Sequence, residues 1–252
     1  NYIENHGNIK IGDTTSGKAN TTSDKNIGSW AIYGTNIETG KKSDGKNSQI
    51  VINRNSYGIY SGDGDVNIAD TDIKVGNDTV LGHVPHDQVV DGVNYPIRRQ
   101  TQYSDADDLL SGLDTPRERD SAIGVYIDSN QRLSREARDI KVNADMDIDR
   151  YSYGIVLAEK NGGAQTDVTI GSALDAPTIR LAYSTNNNAG GHVKSTKPSN
   201  PKVPEEVYEQ GNAVYYYSAD TESRGKSYAN VSMNGDYNTA YYTKGSMDNY
   251  GT

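Results

Sequence analysis

Asn55-Ser56-Tyr57-Gly58-Ile59-Tyr60 is one of six copies of a single phrase, and its recurrence decides the fold. The other copies are Ser29-Trp30-Ala31-Ile32-Tyr33-Gly34, Asp120-Ser121-Ala122-Ile123-Gly124-Val125-Tyr126, Tyr151-Ser152-Tyr153-Gly154-Ile155-Val156, Gly211-Asn212-Ala213-Val214-Tyr215-Tyr216 and Asn238-Thr239-Ala240-Tyr241-Tyr242. Each reads as a polar turn residue, a small residue, then two β-branched or aromatic residues. Ala31 to Gly58 is 27 residues, Gly124 to Gly154 is 30, and Ala213 to Ala240 is 27. The two longer gaps, 66 residues to Gly124 and 59 to Ala213, are each about two periods, or one period plus an insertion.

Between the phrases lie short runs with apolar residues at i and i+2. Examples are Ile50-Val51-Ile52, Val66-Asn67-Ile68, Ile73-Lys74-Val75, Ile140-Lys141-Val142, Val168-Thr169-Ile170, Ile179-Arg180-Leu181 and, at the start, Ile9-Lys10-Ile11. Such alternation turns one face inward and the other to water. A unit of two or three strands cannot bury its inward face alone, so a period of 27–30 predicts coils stacked on a shared core. The fold expected is all-β, a right-handed parallel β-helix, against the alternative of an antiparallel sandwich with accidental repetition. The small residue of the phrase belongs at a turn or at a close approach of backbones.

Composition supports this reading. The chain has 252 residues, with 19 Ile and 17 Val against 8 Leu, 25 Asp against 9 Glu, 24 Asn, 19 Tyr and 26 Gly. Ile, Val and Tyr favour strands, and Asp, Asn and Gly fill turns. Mean hydropathy is −0.79, yet the β-branched and tyrosine-rich runs argue against disorder over most of the length. No Cys is present, which excludes disulfides and thiolate metal sites. No run of about 18 apolar residues occurs, which excludes a membrane-spanning helix. The net charge of −9 argues against a nucleic-acid partner. The absence of an initial Met and the turn-like end, Asn249-Tyr250-Gly251-Thr252, suggest a piece of a longer chain.

Two segments break the rhythm, dividing the chain into coils at 1–79, 120–185 and 211–252 with protruding insertion loops at 80–119 and 186–210. The first loop holds Tyr95, Arg98, Arg99, Tyr103 and the run Asp105-Ala106-Asp107-Asp108, with a short helix expected over 105–113. The second holds Pro198, Pro201, Pro204 and Tyr208. One or two helical turns are expected over 131–138. Long loops on a rigid scaffold usually carry function, and Tyr and Arg dominate contact energy at interfaces. Tyr95, Arg98, Arg99 and Tyr103, with Tyr208 as a second site, are therefore the candidate ligand-binding residues.

Other chemistry is sparse. His83 and His86 are three apart but separated by Pro85, and His6 and His192 are distant. Asp63-Gly64-Asp65 and Asp70-Thr71-Asp72 are oxygen-rich turns of the kind calcium uses, without its recognised loop spacings. No metal or cofactor is expected. Asp145, Asp147 and Asp149 alternate, so one strand face carries all three, near Arg150 or Arg180. This is the constellation a polysaccharide lyase or hydrolase would use. Tyr215, Tyr216, Tyr217, Tyr241 and Tyr242 fall inside the repeated phrase and are expected as stacked core or shell residues.

The phrases at 55–60 and 151–156 resemble the passenger regions of large autotransporter adhesins, most of all those of fusobacteria. The resemblance covers the coils and not the insertions. It implies a β-helical rod on the outer side of a bacterial outer membrane, held by a C-terminal barrel, that adheres to host-cell or partner-bacterium glycans or receptor proteins. It implies no catalytic residues. The alternatives to an adhesin are a β-helical polysaccharide lyase or hydrolase, and a purely structural spacer.

Overall fold

The computed structural model describes residues 2–11, 30–52, 56–76, 122–128, 137–149, 152–158, 165–181, 213–233 and 238–252, and the backbone alone of four short strands at 87–90, 93–96, 193–194 and 208–209. Among the described residues every regular element is a strand. In chain order they are β1 (Tyr2–Asn5), β2 (Ile9–Ile11), β3 (Trp30–Gly34), β4 (Asn36–Thr39), β5 (Ser48–Ile52), β6 (Tyr57–Ser61), β7 (Val66–Val75), β8 (Asp87–Val90), β9 (Val93–Pro96), β10 (Ile123–Ile127) and β11 (Arg138–Ile148). They continue with β12 (Tyr153–Leu157), β13 (Thr166–Ile170), β14 (Thr178–Leu181), β15 (Val193–Lys194), β16 (Tyr208–Glu209), β17 (Val214–Ser218), β18 (Ser223–Ser227), β19 (Asn230–Met233), β20 (Thr239–Thr243) and β21 (Ser246–Asn249).

The six phrases become one six-stranded parallel sheet, in the order β20-β17-β12-β10-β6-β3. The remaining coil strands form two ladders within an eleven-stranded sheet. One ladder runs β1-β4-β7-β11-β13-β18-β21, and the other pairs β2, β5, the second half of β7, the second half of β11, β14 and β19. Every pairing in these ladders is parallel; among the described residues the small hairpins β8–β9 and β15–β16 and the isolated bridge Ser172–Asp175 are antiparallel. The chain is thus a parallel β-helix whose coils visit three ladders in turn.

Long β7 and β11 cross from one ladder to the next without a break. A bulge permits this: Asp70, at φ 49, is the extra residue, and the register shifts between Asn143 and Ala144 opposite it. Asp tolerates the left-handed region because its short side chain bonds locally. Inside this bend Thr39, Ser48 and Thr71 are buried, and their hydroxyls bond one another at 2.8 Å.

The core is a column one chain wide. Ile32, Ile59, Val125, Ile155 and Tyr216 stack along the phrase sheet, facing Ile37, Val66, Ile140 and Val168 and then Ile50, Ile73, Met146 and Ile179 on the other ladders. The direct pairing of β6 with β10 and of β12 with β17 resolves both long sequence gaps as one period plus an insertion. In the fifth coil the small residue of the phrase is displaced by two residues. Val214 pairs with Tyr153, so Tyr215, not Ala213, stands beside Gly154. Of the stretch 131–138 expected as helical turns, Arg138 opens β11 with its side chain buried, and 131–136 lie outside the described residues, as does the helix expected over 105–113.

The glycines of the phrase mark a close approach of backbones. A Cβ on Gly58 would lie 2.5 Å from the Gly124 carbonyl oxygen, one on Gly124 2.6 Å from that of Gly154, and one on Gly154 2.7 Å from that of Tyr215. Adjacent strands cannot yield here without breaking their ladder. Gly124→Ala should therefore destabilise the chain by about 2 kcal/mol, the usual scale of overpacking, read as a lower urea midpoint with an unchanged m-value.

Candidate binding surface

The insertions leave the helix along one corner. Six connections run from the second ladder of the eleven-stranded sheet to the phrase sheet. Three are short: 53–56, 149–152 and 234–238. Three are long: 12–29, 76–122 and 182–213. Long and short alternate coil by coil, so successive long exits lie two strand spacings apart, or about 10 Å. Four residues suffice to turn this corner, since 53–56 and 149–152 do so. The excess in the long connections is not needed to build the coil.

The candidate ligand residues belong to two of these exits. Tyr95 lies on β9, paired with Gln88 of β8, and Tyr208 lies on β16, paired with Lys194 of β15. Arg98, Arg99 and Tyr103 lie outside the described residues, as do His83, His86 and His192.

Beside that corner, the outer face of the phrase sheet carries aromatic ladders. Ile59 and Tyr60 are neighbours in a strand and face opposite sides. Ile59 is core; Tyr60 stacks on Tyr33 at 4.8 Å between ring centroids and on Tyr126 at 5.3 Å. These separations follow the strand spacing of a parallel sheet. Val156 interrupts the column, which resumes with Tyr217 stacked on Tyr242 at 5.0 Å. A second column runs Trp30, Tyr57, Ile123, Tyr153 and Val214, with Trp30 stacked on Tyr57 at 6.0 Å. Tyr57, Ile123, Tyr153, Val156, Val214 and Tyr217 are buried in an apolar cluster separate from the core. Trp30 and Tyr33 remain 43% and 59% exposed. The sequence signal for this surface was present: aromatic residues three apart at 30/33 and 57/60. Of the tyrosines expected as core or shell, Tyr215 and Tyr216 are core, and Tyr217 and Tyr242 belong to the outer stack.

The Tyr60 hydroxyl donates to Asp128 Oδ2 at 2.5 Å. Burial, and then that bond to a carboxylate, push the Tyr60 phenol well above the ordinary tyrosine value. Burial alone pushes Tyr57 up to about 12.

The acidic face of β11 lines an open groove of about 390 Å³ with Gln49, Asp72, Lys74, Thr178 and Arg180. Asp145 and Asp147 point into it, but both are engaged. Asp145 accepts the Thr178 backbone N–H at 2.7 Å, and Asp147 takes a bidentate pair from Arg180, with Nη2 at 2.6 Å. Asp149 does not share this face: β11 ends at Ile148, and Asp149 is buried at the following turn. Arg150 lies outside the described residues.

The oxygen-rich turns are likewise occupied by their own chain. Asp63 accepts the Gly64 N–H, Asp65 the Asp139 N–H, and Asp72 the Asn47 amide, while Asp70 pairs with Lys41 at 3.4 Å. Among the described residues no three His, Cys, Asp or Glu side chains converge on a metal position.

No family model, curated protein or solved structure matches the chain.

The buried tyrosines make a pH prediction. A phenol whose folded pKa is raised stabilises the fold fully below its unfolded value near 10, and that stability fades as pH rises through the folded value. Tyr57 and Tyr60 are raised in this way, and so are Tyr215 and Tyr216 by burial. Unfolding followed by circular dichroism should begin above pH 10, with the bulk of tyrosinate absorbance appearing together with loss of the β spectrum.

Proposed function

We propose that the chain is a stretch of a bacterial cell-surface adhesin of the autotransporter-passenger kind, displayed on the outer side of the outer membrane. The rod is a scaffold, and its partner is a host-cell or partner-bacterium glycan or receptor protein. The observation that carries this reading is the alignment of the insertions. Three long connections join strand ends at one corner of a β-helix whose ladders pair in register across them. Tyr95, Arg98, Arg99 and Tyr103 belong by sequence to one of these connections and Tyr208 to the next, and both connections leave the second ladder at the same corner. The exposed Trp30 and Tyr33 lie on the adjoining face and add rings suited to stacking on sugars or apolar side chains.

The lyase or hydrolase reading is less well supported. Asp147 is held bidentately by Arg180 and Asp145 Oδ1 by a backbone amide, so both carboxylates already serve contacts within the chain itself.

Deleting residues 80–119 leaves 76–79 and 120–122 to turn a corner that four residues turn elsewhere. The deletion should abolish binding to host cells and to glycan arrays while the far-UV β spectrum persists. Binding that survives it would refute the role of this loop. An enzyme would instead release reducing ends or unsaturated uronides from acidic polysaccharides and lose that activity on Asp147→Asn. A spacer would show neither behaviour.

A further inference from the structure

The inner corner between the phrase sheet and the first ladder is built twice on a Ser-x-Asp turn, and the two copies differ in charge. In the second coil Ser61 Oγ donates to the Asp63 carbonyl at 3.0 Å, and Asp63 Oδ1 accepts the Gly64 N–H at 2.8 Å. In the fifth coil Ser218 Oγ approaches the Asp220 carbonyl at 3.4 Å, and Asp220 Oδ1 accepts the Glu222 N–H at 2.9 Å.

The second-coil turn is filled by a cation of the chain itself. Arg138, 2% exposed, directs its guanidinium into the corner, with Nε donating to the Gly64 carbonyl and Nη2 to Ser61 Oγ, each at 2.7 Å. Along this inner column Arg138 is followed by Thr166 and then Ser223. The residue above Ser223 is Gly245. Its Cβ would lie 2.5 Å from Ser223 Oγ and 2.9 Å from the Asp220 carbonyl, so no side chain can enter the fifth-coil corner from there.

That corner is lined by oxygen and left short of partners. Ser218 and Ser223 hydroxyls bond each other at 2.9 Å, and Ser223 Oγ donates to the Asp220 carbonyl at 2.8 Å. The Tyr216 hydroxyl lies beside these two serines without hydrogen-bond geometry to either. Asp220 Oδ2, Tyr216 OH and Thr166 Oγ1 are fully buried, and none has a hydrogen-bond partner among the described residues. A buried carboxylate without counter-charge is strongly disfavoured. Hard oxygen donors (one carboxylate and neutral hydroxyls) suit a hard cation.

We propose that the inner corner of the fifth coil, bounded by Thr166, Tyr216, Ser218, Asp220 and Ser223, binds one alkali-metal cation where the second coil uses the Arg138 guanidinium. A single carboxylate among neutral hydroxyls matches a single positive charge. The ion locks coil to coil as the arginine does, and it couples the stability of the C-terminal coils to the ionic medium.

Thermal melts of the chain in sodium or potassium chloride, against choline chloride at equal ionic strength, test this. A saturable rise of about 5 °C with sodium or potassium is expected, from the linkage of a bound ion to stability. Asp220→Asn, which keeps the volume and removes the charge, should abolish the increment. Equal melting in choline, or an increment that survives Asp220→Asn, overturns the proposal. Should that variant fail to fold, crystals of the unaltered chain grown in rubidium chloride decide the matter. An anomalous peak between Asp220 Oδ2 and Tyr216 OH supports the site, whereas ordinary water density or none overturns it.

Discussion

An inner coil strand of this molecule satisfies its backbone through a strand laid parallel on each side of it. Each coil therefore depends on its neighbours for its hydrogen bonds and for the lids of its core. That dependence fixes the rest. Because the ladders are in register, equivalent positions of successive coils sit one strand spacing apart, so whatever chemistry a position carries is repeated as a column. Apolar columns make the core, glycine columns let backbones touch, tyrosine columns stack, and polar columns must satisfy one another or find a substitute.

The columns also explain where variation is tolerated. Along the phrase sheet the pairing passes from Tyr57 to Ile123 and from Tyr153 to Val214 across 66 and 61 residues of sequence with no loss of register. A corner that four residues can turn accepts long insertions at little cost to the ladder, since added loop length costs only slowly increasing closure entropy. Sequence length thus accumulates at one edge of the rod, and that edge is where recognition is proposed.

How far the sequence was legible follows from the same logic. The recurring Tyr-Gly-Ile-Tyr phrase and the i, i+2 runs disclosed the parallel coils, because both are short-range patterns repeated by stacking. The displacement of the fifth phrase was hidden, since Ala213 resembles the phrase's small residue and only pairing shows that Tyr215 takes the glycine's place. Arg138 read as part of a helical, charged stretch; its burial depends on Ser61 and Gly64, over seventy residues away. Asp149 read as the third carboxylate of a face, but alternation holds only while the strand continues, and β11 ends one residue earlier. The outer tyrosine stack was half legible. Its spacing was visible, but whether a column faces core or solvent is settled by which neighbour packs on it. The interior oxygen corner could not be read at all, for it joins Thr166, Tyr216 and Asp220 from two coils.

The central claim is that the coils stack in register across the long insertion between β7 and β11. The chain has no cysteine, so a single introduced pair reports cleanly. Lys74 and Asp147 are register partners on the outer face of β7 and β11, within the separation a disulfide can bridge. Replacing both with cysteine should give rapid, near-complete oxidation to an intramolecular disulfide, while Lys74 paired with Asp145 should cross-link far more slowly. A pair at 74 and 147 that stays reduced, or cross-links no faster than 74 with 145, would contradict the in-register β-helix.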